Sequence, residues 1–424
     1  MAQEVTILGA GAVGICTALS LAERGLTVRL IDRGDPGQET TFGNAGVISP
    51  WSFVPQSLPG LWRQLPVLML GKHRPLSVRA SYWPRMVTWG MAFLRQGTPT
   101  RVQQAADAME VLCAPSIDLY RRHLRGTGEE ALIRDCAYVH AFRDGSRASL
   151  DAIDYRIRWE KGGRLELVGS DELRRIEPAL SHDFKAAVLI HGQARALAPG
   201  RLATVLADKA RGLGVEVLRR DIRALRREAT GWRIECGDET FAAQRVVVAM
   251  GAWSADLLQP LGISVPLAAE RGYHLEFPDP GIELTNSVTD TDAKFVASSM
   301  EGGMRVAGQA EFGDVDAPPD PRKQRYMLAQ ARAALPDLNA SNPGFWMGRR
   351  PSFPDSLPMI GGFEGHPGLF AGFGHSHYGL MMAPKTGELL ADLLTARAPN
   401  IDLAAYSTRR FSRGLVPFAE AHNG

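Results

Sequence analysis

The chain has 424 residues, of which 45% are hydrophobic and 22% charged, and its formal net charge is +2. This composition is typical of a globular protein large enough for two domains or one interleaved body, and the charge balance gives no reason to expect nucleic acid binding. The four cysteines, Cys16, Cys113, Cys136 and Cys236, have no Cys-x-x-Cys spacing. We therefore expect neither a metal site nor a disulfide framework.

The apolar stretches of the sequence indicate where in the cell we expect the protein to be. Residues 5–22 are apolar, but the preceding Met-Ala-Gln-Glu carries no positive charge and three glycines interrupt the run, which is unlike a signal peptide. No later stretch reaches the ~20 uninterrupted apolar residues that a membrane-spanning helix needs. We therefore expect a cytoplasmic protein whose contact with the inner membrane would be peripheral.

The first predicted elements are a strand, a turn, a helix and a second strand. Residues 5–8 form a short apolar strand, 15–24 have a helical pattern ended by a glycine, and 27–31 form the next strand. The turn matches Gly-x-Gly-x-x-Gly and reads Gly9-Ala10-Gly11-Ala12-Val13-Gly14. Glycines there permit a tight turn, close approach of the backbone to a pyrophosphate, and close packing of the helix on the strand.

Asp32 strengthens the interpretation of this unit as a dinucleotide site. It ends the second strand eighteen residues after Gly14, where a carboxylate accepts hydrogen bonds from ribose hydroxyls. The phosphates would then lie at the N-terminus of the helix. The unit predicts a dinucleotide, but by itself it does not distinguish NAD from FAD.

Three later features favour FAD. The small-residue loop 40–46 could lie flat against an aromatic ring system, although it would also suit an ordinary surface turn. The apolar strand 245–249 leads into Gly251 and Trp253, an element that resembles one passing near the dinucleotide in glutathione-reductase-type flavoproteins. The glycine-rich turn 372–379 opens a helix whose free N–H groups would face an anion, as a reduced flavin presents.

The other predicted elements alternate between two kinds of architecture. An irregular excursion is expected over 50–100, and the regular elements are helices at 101–125, a charged helical segment at 155–178, a helix at 201–213 with a strand at 215–218, a hairpin at 232–241, antiparallel strands at 274–277, 295–298 and 305–308, a helix at 325–335, a strand at 369–371 and a helix at 380–395. The predicted fold class is α/β and α+β, with a Rossmann-like FAD-binding domain interleaved with an antiparallel-sheet substrate domain. The FAD-binding domain is assigned residues 1–60, 150–265 and 345–424, and the substrate domain 61–149 and 266–344.

The sequence resembles the FAD-dependent amino acid oxidase and dehydrogenase family, and within it the bacterial D-amino acid dehydrogenases. The resemblance covers nearly the whole chain and rests on the N-terminal glycine turn, on the motif at 42–50, on the Pro/Trp-rich excursion from 75–79 to 93–95, on Glu270-Arg271-Gly272-Tyr273 and on the Arg-Arg-Pro motif at 348–361. The segment His375-Ser376-His377-Tyr378 departs from the smaller, less basic residues that are typical of D-amino acid dehydrogenases. The resemblance therefore leaves open whether this chain acts on the same substrates as the D-amino acid dehydrogenases.

The motifs and the resemblance together predict the residues that contact FAD. Ile222 is included because it lies where the backbone of the family meets the adenine. The predicted cofactor-binding residues are Gly9, Ala10, Gly11, Ala12, Val13, Gly14, Asp32, Arg33, Thr41, Asn44, Ala45, Gly46, Val47, Ile222, Gly251, Trp253, Gly374, His375, Gly379 and Leu380.

Candidate substrate residues follow from what amino acid oxidation needs, which is an anchor for the carboxylate and a neutral amine beside the flavin. Arginine suits the anchor because its planar fork binds carboxylates bidentately. Arg350 lies where the family places such an arginine, with Arg271 as a second candidate and Arg349 in reserve; the alternative for each is a structural ion pair. Tyr273 would close the pocket or bond the carboxylate, or else belong to the core or the sheet surface. At His375 or His377 a protonated imidazole would stabilise an anionic flavin, and a neutral one would contact substrate or accept a proton, with His377 favoured. Either could instead cap a helix.

These residues predict an enzyme. The expected reaction is FAD-dependent oxidative deamination of a D-amino acid or a cyclic secondary amino acid by hydride transfer from Cα to the flavin. The resemblance implies that the electrons pass to a quinone or another carrier. Alternatives are an oxygen-using glycine or sarcosine-type amine oxidase, and a non-catalytic flavoprotein subunit of a hetero-oligomeric dehydrogenase. The surface that includes residues 59–70 is a possible lid, partner surface or peripheral membrane contact.

Overall fold

The computed structural model describes residues 4–72 and 74–411. Its strands are β1 Glu4–Leu8, β2 Thr27–Asp32, β3 Val47–Ile48, β4 Leu76–Val78, β5 Ile133–Phe142, β6 Leu165–Gly169, β7 Ala186–Ala196, β8 Glu216–Arg219, β9 Ala224–Glu228, β10 Gly231–Cys236, β11 Glu239–Ala243, β12 Arg245–Val248, β13 Ala268–Phe277, β14 Ser287–Asp290, β15 Phe295–Met300, β16 Gly303–Phe312, β17 Gly344–Ser352, β18 Met359–Gly362 and β19 Leu369–Phe373. Its α-helices are α1 Ala12–Ala22, α2 Leu61–Leu70, α3 Trp83–Arg95, α4 Pro99–Cys113, α5 Ser116–Leu124, α6 Ile153–Glu160, α7 Ser170–Ile176, α8 Pro199–Gly212, α9 Ser254–Leu258, α10 Pro321–Ala334 and α11 Gly379–Leu394.

A six-stranded sheet forms the first layer, in the order β18-β19-β12-β1-β2-β8. All neighbouring pairs in it are parallel except β18 with β19. Strands β1 and β12 read as nearly continuous apolar runs because elements cover both faces, and Val5, Ile7 and Val247 have no exposed surface. Helices α1 and α11 pack together on this sheet.

A second, larger sheet has ten strands and is mostly antiparallel. Its main order is β17-β13-β16-β15-β14-β5-β7-β3, with β4 paired to β16 and β6 paired to β7. One face packs on α10 and encloses a separate apolar core that includes Leu275, Phe295 and Met327. A small three-stranded sheet of β11, β10 and β9 completes the fold. The predicted combination of a parallel dinucleotide-type sheet with an antiparallel sheet is confirmed.

The structure corrects three predictions of secondary structure. The excursion over 50–100 is not irregular, because it contains α2, β4 and α3. Pro66 lies inside α2, and the exposed positions Val67 and Leu70 of this helix are as apolar as those that line the cavity, so no helical period marks it in the sequence. The segment 155–178 is two helices separated by β6, with Gly162 and Gly163 at the break. Strands β5 and β7 were not predicted at all, since their pairing partners are distant in sequence.

The two sheets draw on segments that are interleaved along the chain. Strands β6 and β7 and strand β17 lie in the larger sheet, although residues 150–265 and 345–424 are assigned to the FAD-binding domain by the sequence. The domain boundaries stay a prediction.

Within residues 4–72 and 74–411, no helix combines the length and the apolar character that crossing a bilayer requires.

The contact between α1 and α11 depends on a glycine. A Cβ atom at Gly387 would lie 2.6 Å from the backbone carbonyl of Cys16, so the helices would have to separate. We expect Gly387→Ala to lower the free energy of unfolding by about 1–3 kcal/mol, as overpacking does. The measurement is urea unfolding of the FAD-bound protein.

Gly212→Ala is the matched control for this prediction. Gly212 ends α8 with nothing within 4 Å of an added Cβ, so this change should leave the stability unaltered or raise it by up to about 1 kcal/mol. Equal stability of the two variants would contradict the close packing of α1 on α11.

Candidate active site

A cavity of about 1250 Å³ lies where the two large sheets meet. On one side it is lined by the turns that follow β1, β2, β12 and β19. These four strands are parallel, so their carboxyl ends open at one edge of the sheet, which is where ligands bind in such folds. The opposite wall comes from β13, β16 and β17 of the larger sheet.

The glycine turn after β1 has the tight geometry that its sequence predicts. Gly9 has a φ of 105°, and a side chain there would collide with the carbonyl of Ala249. A side chain at Gly14 would collide with the carbonyl of Gly9, so Gly14 allows α1 to approach β1. Gly11 caps α1 without any side-chain hydrogen bond, which leaves this helix N-terminus facing the cavity for an anion.

Asp32 braces the glycine turn. Its Oδ2 accepts a hydrogen bond from the Ala10 N–H at 2.6 Å, and its Oδ1 accepts one from the Gly34 N–H at 2.9 Å. Burial raises the pKa of Asp32, and the two backbone donors offset part of that increase. The carboxylate lines the cavity with its remaining lone pairs, so its predicted hydrogen bond to a ribose stays a prediction.

The small-residue loop after β2 is fixed to both sides of the cavity. Thr41 Oγ1 accepts a hydrogen bond from the Ala12 N–H at 3.0 Å, at the start of α1. Arg305 on β16 donates from Nη1 to the carbonyls of Phe42 and Asn44 at 2.7 and 2.9 Å. The loop therefore forms a rigid floor rather than a free surface turn.

The structure gathers most of the predicted cofactor residues around one space. All of them line the cavity except Gly14, which packs beneath the turn, and Gly46. Gly46 has a φ of 78° and packs against the carbonyl of Ala196 at β7. The cavity is larger than the ~300–1000 Å³ of a site for one small ligand. The glycine cradle, the helix N-terminus at Gly11 and the volume fit FAD together with a small substrate.

Arg350 points into the cavity from β17. Its Nη1 donates to Glu270 Oε1 at 3.0 Å and to the Gln309 carbonyl at 3.1 Å. The guanidinium lies over Gly272, where any side chain would overlap it. The arginine side chain keeps 21% of its surface exposed, so part of the fork is available to a ligand.

Arg271 lies outside the cavity, and this contradicts its prediction as a carboxylate anchor. Its side chain is completely buried, pairs with Glu311 at 2.9 Å and donates to the carbonyls of Ala317 and Pro318. Successive side chains of a strand point to opposite faces. Since Glu270 and Gly272 face the cavity, Arg271 must face away.

Tyr273 serves the core rather than the pocket. It borders the cavity, but its hydroxyl donates to Glu311 at 3.0 Å and accepts from the Asp320 N–H. Its ring stacks on Phe345, and only 1% of the residue is exposed. Both of these contacts of the hydroxyl are with protein groups, and its predicted bond to a substrate carboxylate stays a prediction.

The two predicted histidines have different surroundings. His375 Nε2 lies 3.0 Å from Thr386 Oγ1 in a buried position, and burial lowers its pKa to about 3. This pKa places His375 in its neutral form near pH 7, and its predicted stabilisation of an anionic flavin stays a prediction. His377 Nε2 lies 2.5 Å from Glu270 Oε1, and its side chain keeps 34% of its surface exposed to the cavity.

Glu270 is the site residue that the sequence did not single out. It lines the cavity, with its two oxygens shared among Arg350, His377 and the Ser352 hydroxyl. Burial alone would raise its pKa, but His377 and Arg350 hold the pKa down to about 2. Its only sequence signal was its place in the Glu-Arg-Gly-Tyr motif, where alternation along the strand puts it on the same face as Gly272.

Comparison with known proteins identifies the class. A family model described as FAD dependent oxidoreductase, DAO, matches residues 4–393. A D-amino-acid oxidase of Bradyrhizobium diazoefficiens is 33% identical over 420 residues, covering 96% of this chain and 99% of that protein. Glycine oxidase from Geobacillus kaustophilus has a similar structure, with a TM-score of 0.74 and 22% identity over 96% of this chain and 99% of the other.

L-proline dehydrogenase from P. horikoshii is also similar, with a TM-score of 0.73 and 20% identity over 97% of this chain and 98% of the other. The chain therefore belongs to the DAO family of FAD-dependent oxidoreductases. Its cofactor is FAD.

Removal of the Asp32 carboxylate tests the proposed seat of FAD. Asp32→Ala leaves the Ala10 and Gly34 N–H groups without their acceptor. We expect FAD affinity to fall by about 10- to 100-fold, since each lost charge-assisted hydrogen bond costs about 1.5–3 kcal/mol and water replaces part of it. The measurement is flavin fluorescence during titration of the apoprotein with FAD.

Asp238→Ala provides the control, because Asp238 is exposed at the turn between β10 and β11. FAD affinity that is unchanged in Asp32→Ala would mean that the cofactor lies elsewhere.

Proposed function

We propose that the protein is a dehydrogenase that oxidises the Cα–N bond of a D-amino acid or a cyclic secondary amino acid to the imino acid. The observation that carries the proposal is the partly exposed guanidinium of Arg350, which faces the same cavity as the glycine turn. A single fixed arginine is suited to bind a substrate carboxylate. FAD, when bound, supplies an acceptor for the hydride that leaves Cα.

The residues around Arg350 support a positioning role. Glu270 and the Gln309 carbonyl hold one nitrogen of the guanidinium, so a carboxylate would bind without having to order a flexible side chain. Fixed orientation of the reacting atoms is the main contribution that a protein makes to hydride transfer. The relative named D-amino-acid oxidase supports an amino acid as the substrate.

Replacement of Arg350 tests the carboxylate anchor. The FAD-bound protein is mixed without oxygen with a panel of D-amino acids that includes D-proline and hydroxyproline, and loss of the visible flavin absorbance is followed. We expect Arg350→Met to slow this bleaching by about 100-fold or more, because losing one partner of a buried charge pair costs about 2–5 kcal/mol. The bound flavin should remain.

The control for this experiment is Arg211→Met, which removes an exposed arginine that pairs with Asp208 within α8. If no member of the panel bleaches the wild-type protein, the enzyme proposal fails and the non-catalytic subunit is favoured. If Arg350→Met loses flavin and keeps its reactivity in reconstituted protein, the anchor has been assigned to the wrong residue.

The electron acceptor is proposed to be a quinone, reached from a membrane surface. Residues 40–106 contain seven Lys or Arg residues and no Asp or Glu. Helices α2 and α3 lie in this stretch and expose large apolar side chains, namely Trp62, Val67, Leu70, Trp83, Val87 and Met91. Leu65, Leu68 and Met86 from the same helices line the cavity. An apolar and basic surface beside the cavity suits an anionic bilayer that carries a lipid-soluble acceptor.

A double variant tests this acceptor. We expect Val67→Ser/Leu70→Ser to lower turnover with a quinone held in anionic vesicles by about 10-fold or more, because burying each apolar side chain contributes about 1.5–3 kcal/mol. Anaerobic bleaching by substrate should stay the same. Trp159→Ser, at an exposed position on α6, is the control. If the wild type turns over with oxygen in the absence of vesicles as fast as it does with the vesicle-held quinone, the oxygen-using oxidase is favoured instead.

A further inference from the structure

Three side chains, two from β17 and one from the turn after β19, meet on one carboxylate in the cavity. Glu270 and Arg350 are direct cross-strand partners on β13 and β17, and their side chains form an ion pair at 3.0 Å. His377 reaches the same oxygen from the turn after β19. The Ser352 hydroxyl donates to the other oxygen of Glu270 at 3.0 Å. The carboxylate is therefore held at both oxygens and cannot turn away from the histidine.

The contact with Glu270 determines which nitrogen of His377 carries the proton. Glu270 is ionised because Arg350 stands beside it, so the nitrogen at 2.5 Å must be a donor. Gln56 Nε2 also approaches this nitrogen, but at 3.4 Å, which is a much weaker contact. With Nε2 protonated, Nδ1 of a neutral imidazole is left with its lone pair.

Nδ1 of His377 is available to accept a proton from a ligand in the cavity. Within residues 4–72 and 74–411 it has no hydrogen-bond partner, and it is not sealed from the cavity. Burial lowers the pKa of His377, Arg350 lowers it further, and Glu270 opposes them by raising it. The imidazole is therefore neutral near pH 7. The other cavity histidines lack this combination, since His375 bonds Thr386 and His140 Nδ1 bonds the Tyr155 hydroxyl.

We propose that His377 Nδ1 accepts the proton of the substrate ammonium group, and that Glu270 is a positioning residue that keeps Nε2 protonated for this purpose. This proposal rests on the proposed function, because only an amine substrate needs the step. An amino acid arrives mainly as its ammonium form, whose nitrogen has no lone pair to assist departure of the α-hydrogen.

The proton transfer balances within the site. The ammonium N–H bond breaks, its electron pair stays on the substrate nitrogen, and the proton forms a new bond to Nδ1. The neutral imidazole becomes an imidazolium, whose Nε2–H remains directed at the Glu270 carboxylate. Glu270 does not take up a proton, and its negative charge stabilises the imidazolium that forms. Arg350 stays paired with the same carboxylate through Nη1, while the part of its side chain that remains exposed to the cavity binds the substrate carboxylate.

The pH dependence of anaerobic flavin reduction tests the proposal. For wild type, the rate should rise with pH through a pKa below the ordinary ~6.5 of histidine, since His377 must be neutral. We expect His377→Gln to be slower by about 100- to 10,000-fold near pH 7 and to recover toward wild type as pH rises, because the free amine then forms in solution. Glu270→Gln should be slower by a smaller factor, with its acidic limb displaced to lower pH, because the charge that raises the histidine pKa is gone.

His191→Gln is the matched control, because His191 forms the same kind of contact with Glu166 at 3.0 Å on the exposed surface. Flavin content and the melting temperature are recorded for every variant. If either His377→Gln or Glu270→Gln loses FAD, the other variant still tests the proposal. A pH profile of His377→Gln that is lowered equally at every pH, or a Glu270→Gln profile with an unmoved limb, overturns the proposal. Either result is distinct from failure of the proposed function, in which the wild type itself is not bleached by any amino acid.

Discussion

One buried arginine joins the two halves of the cavity. Arg305 extends from β16 of the larger sheet to the backbone carbonyls of Phe42 and Asn44, and Glu276 balances its charge at 3.2 Å. Burial disfavours a cation that lacks partners. The Arg305 guanidinium is therefore held in place by Glu276 and by the carbonyls of this loop. The loop in turn contacts the start of α1 through Thr41. One chain of hydrogen bonds therefore sets the distance between the glycine turn after β1 and the opposite cavity wall, which β13, β16 and β17 form.

Local features of the sequence were the easiest to interpret. The turn from Gly9 to Gly14 and the acid at Asp32 have roles that depend on neighbours within one strand–turn–helix unit, so spacing alone indicates them. The all-valine core of β12 identified a buried parallel strand for the same reason. Strands β5 and β7 escaped prediction because they pair with each other across about fifty residues, which no local pattern reveals.

The cavity wall formed by β13, β16 and β17 was harder to predict, because a residue lines the cavity only if it lies on the correct face of its strand. Arg271 is a strong chemical candidate, but β13 turns it toward Glu311 and away from the cavity. Its neighbour Glu270 has the opposite charge to the expected anchor, yet it faces the ligand space. Register with β17, set by distant backbone pairing, decides the difference. Arg350 was indicated by a motif, whereas its partner became visible only in three dimensions.

Gly272 affects the cavity because it lacks a Cβ atom. The guanidinium of Arg350 occupies the space that a methyl group at position 272 would fill, so the smallest possible substitution there would displace the guanidinium. A survey of the cavity by chemical function would pass over this glycine, because it has no side chain that could donate, accept or ionise. For anyone redesigning the protein, the position of this guanidinium can be altered from the strand beneath it, without a change to the arginine itself.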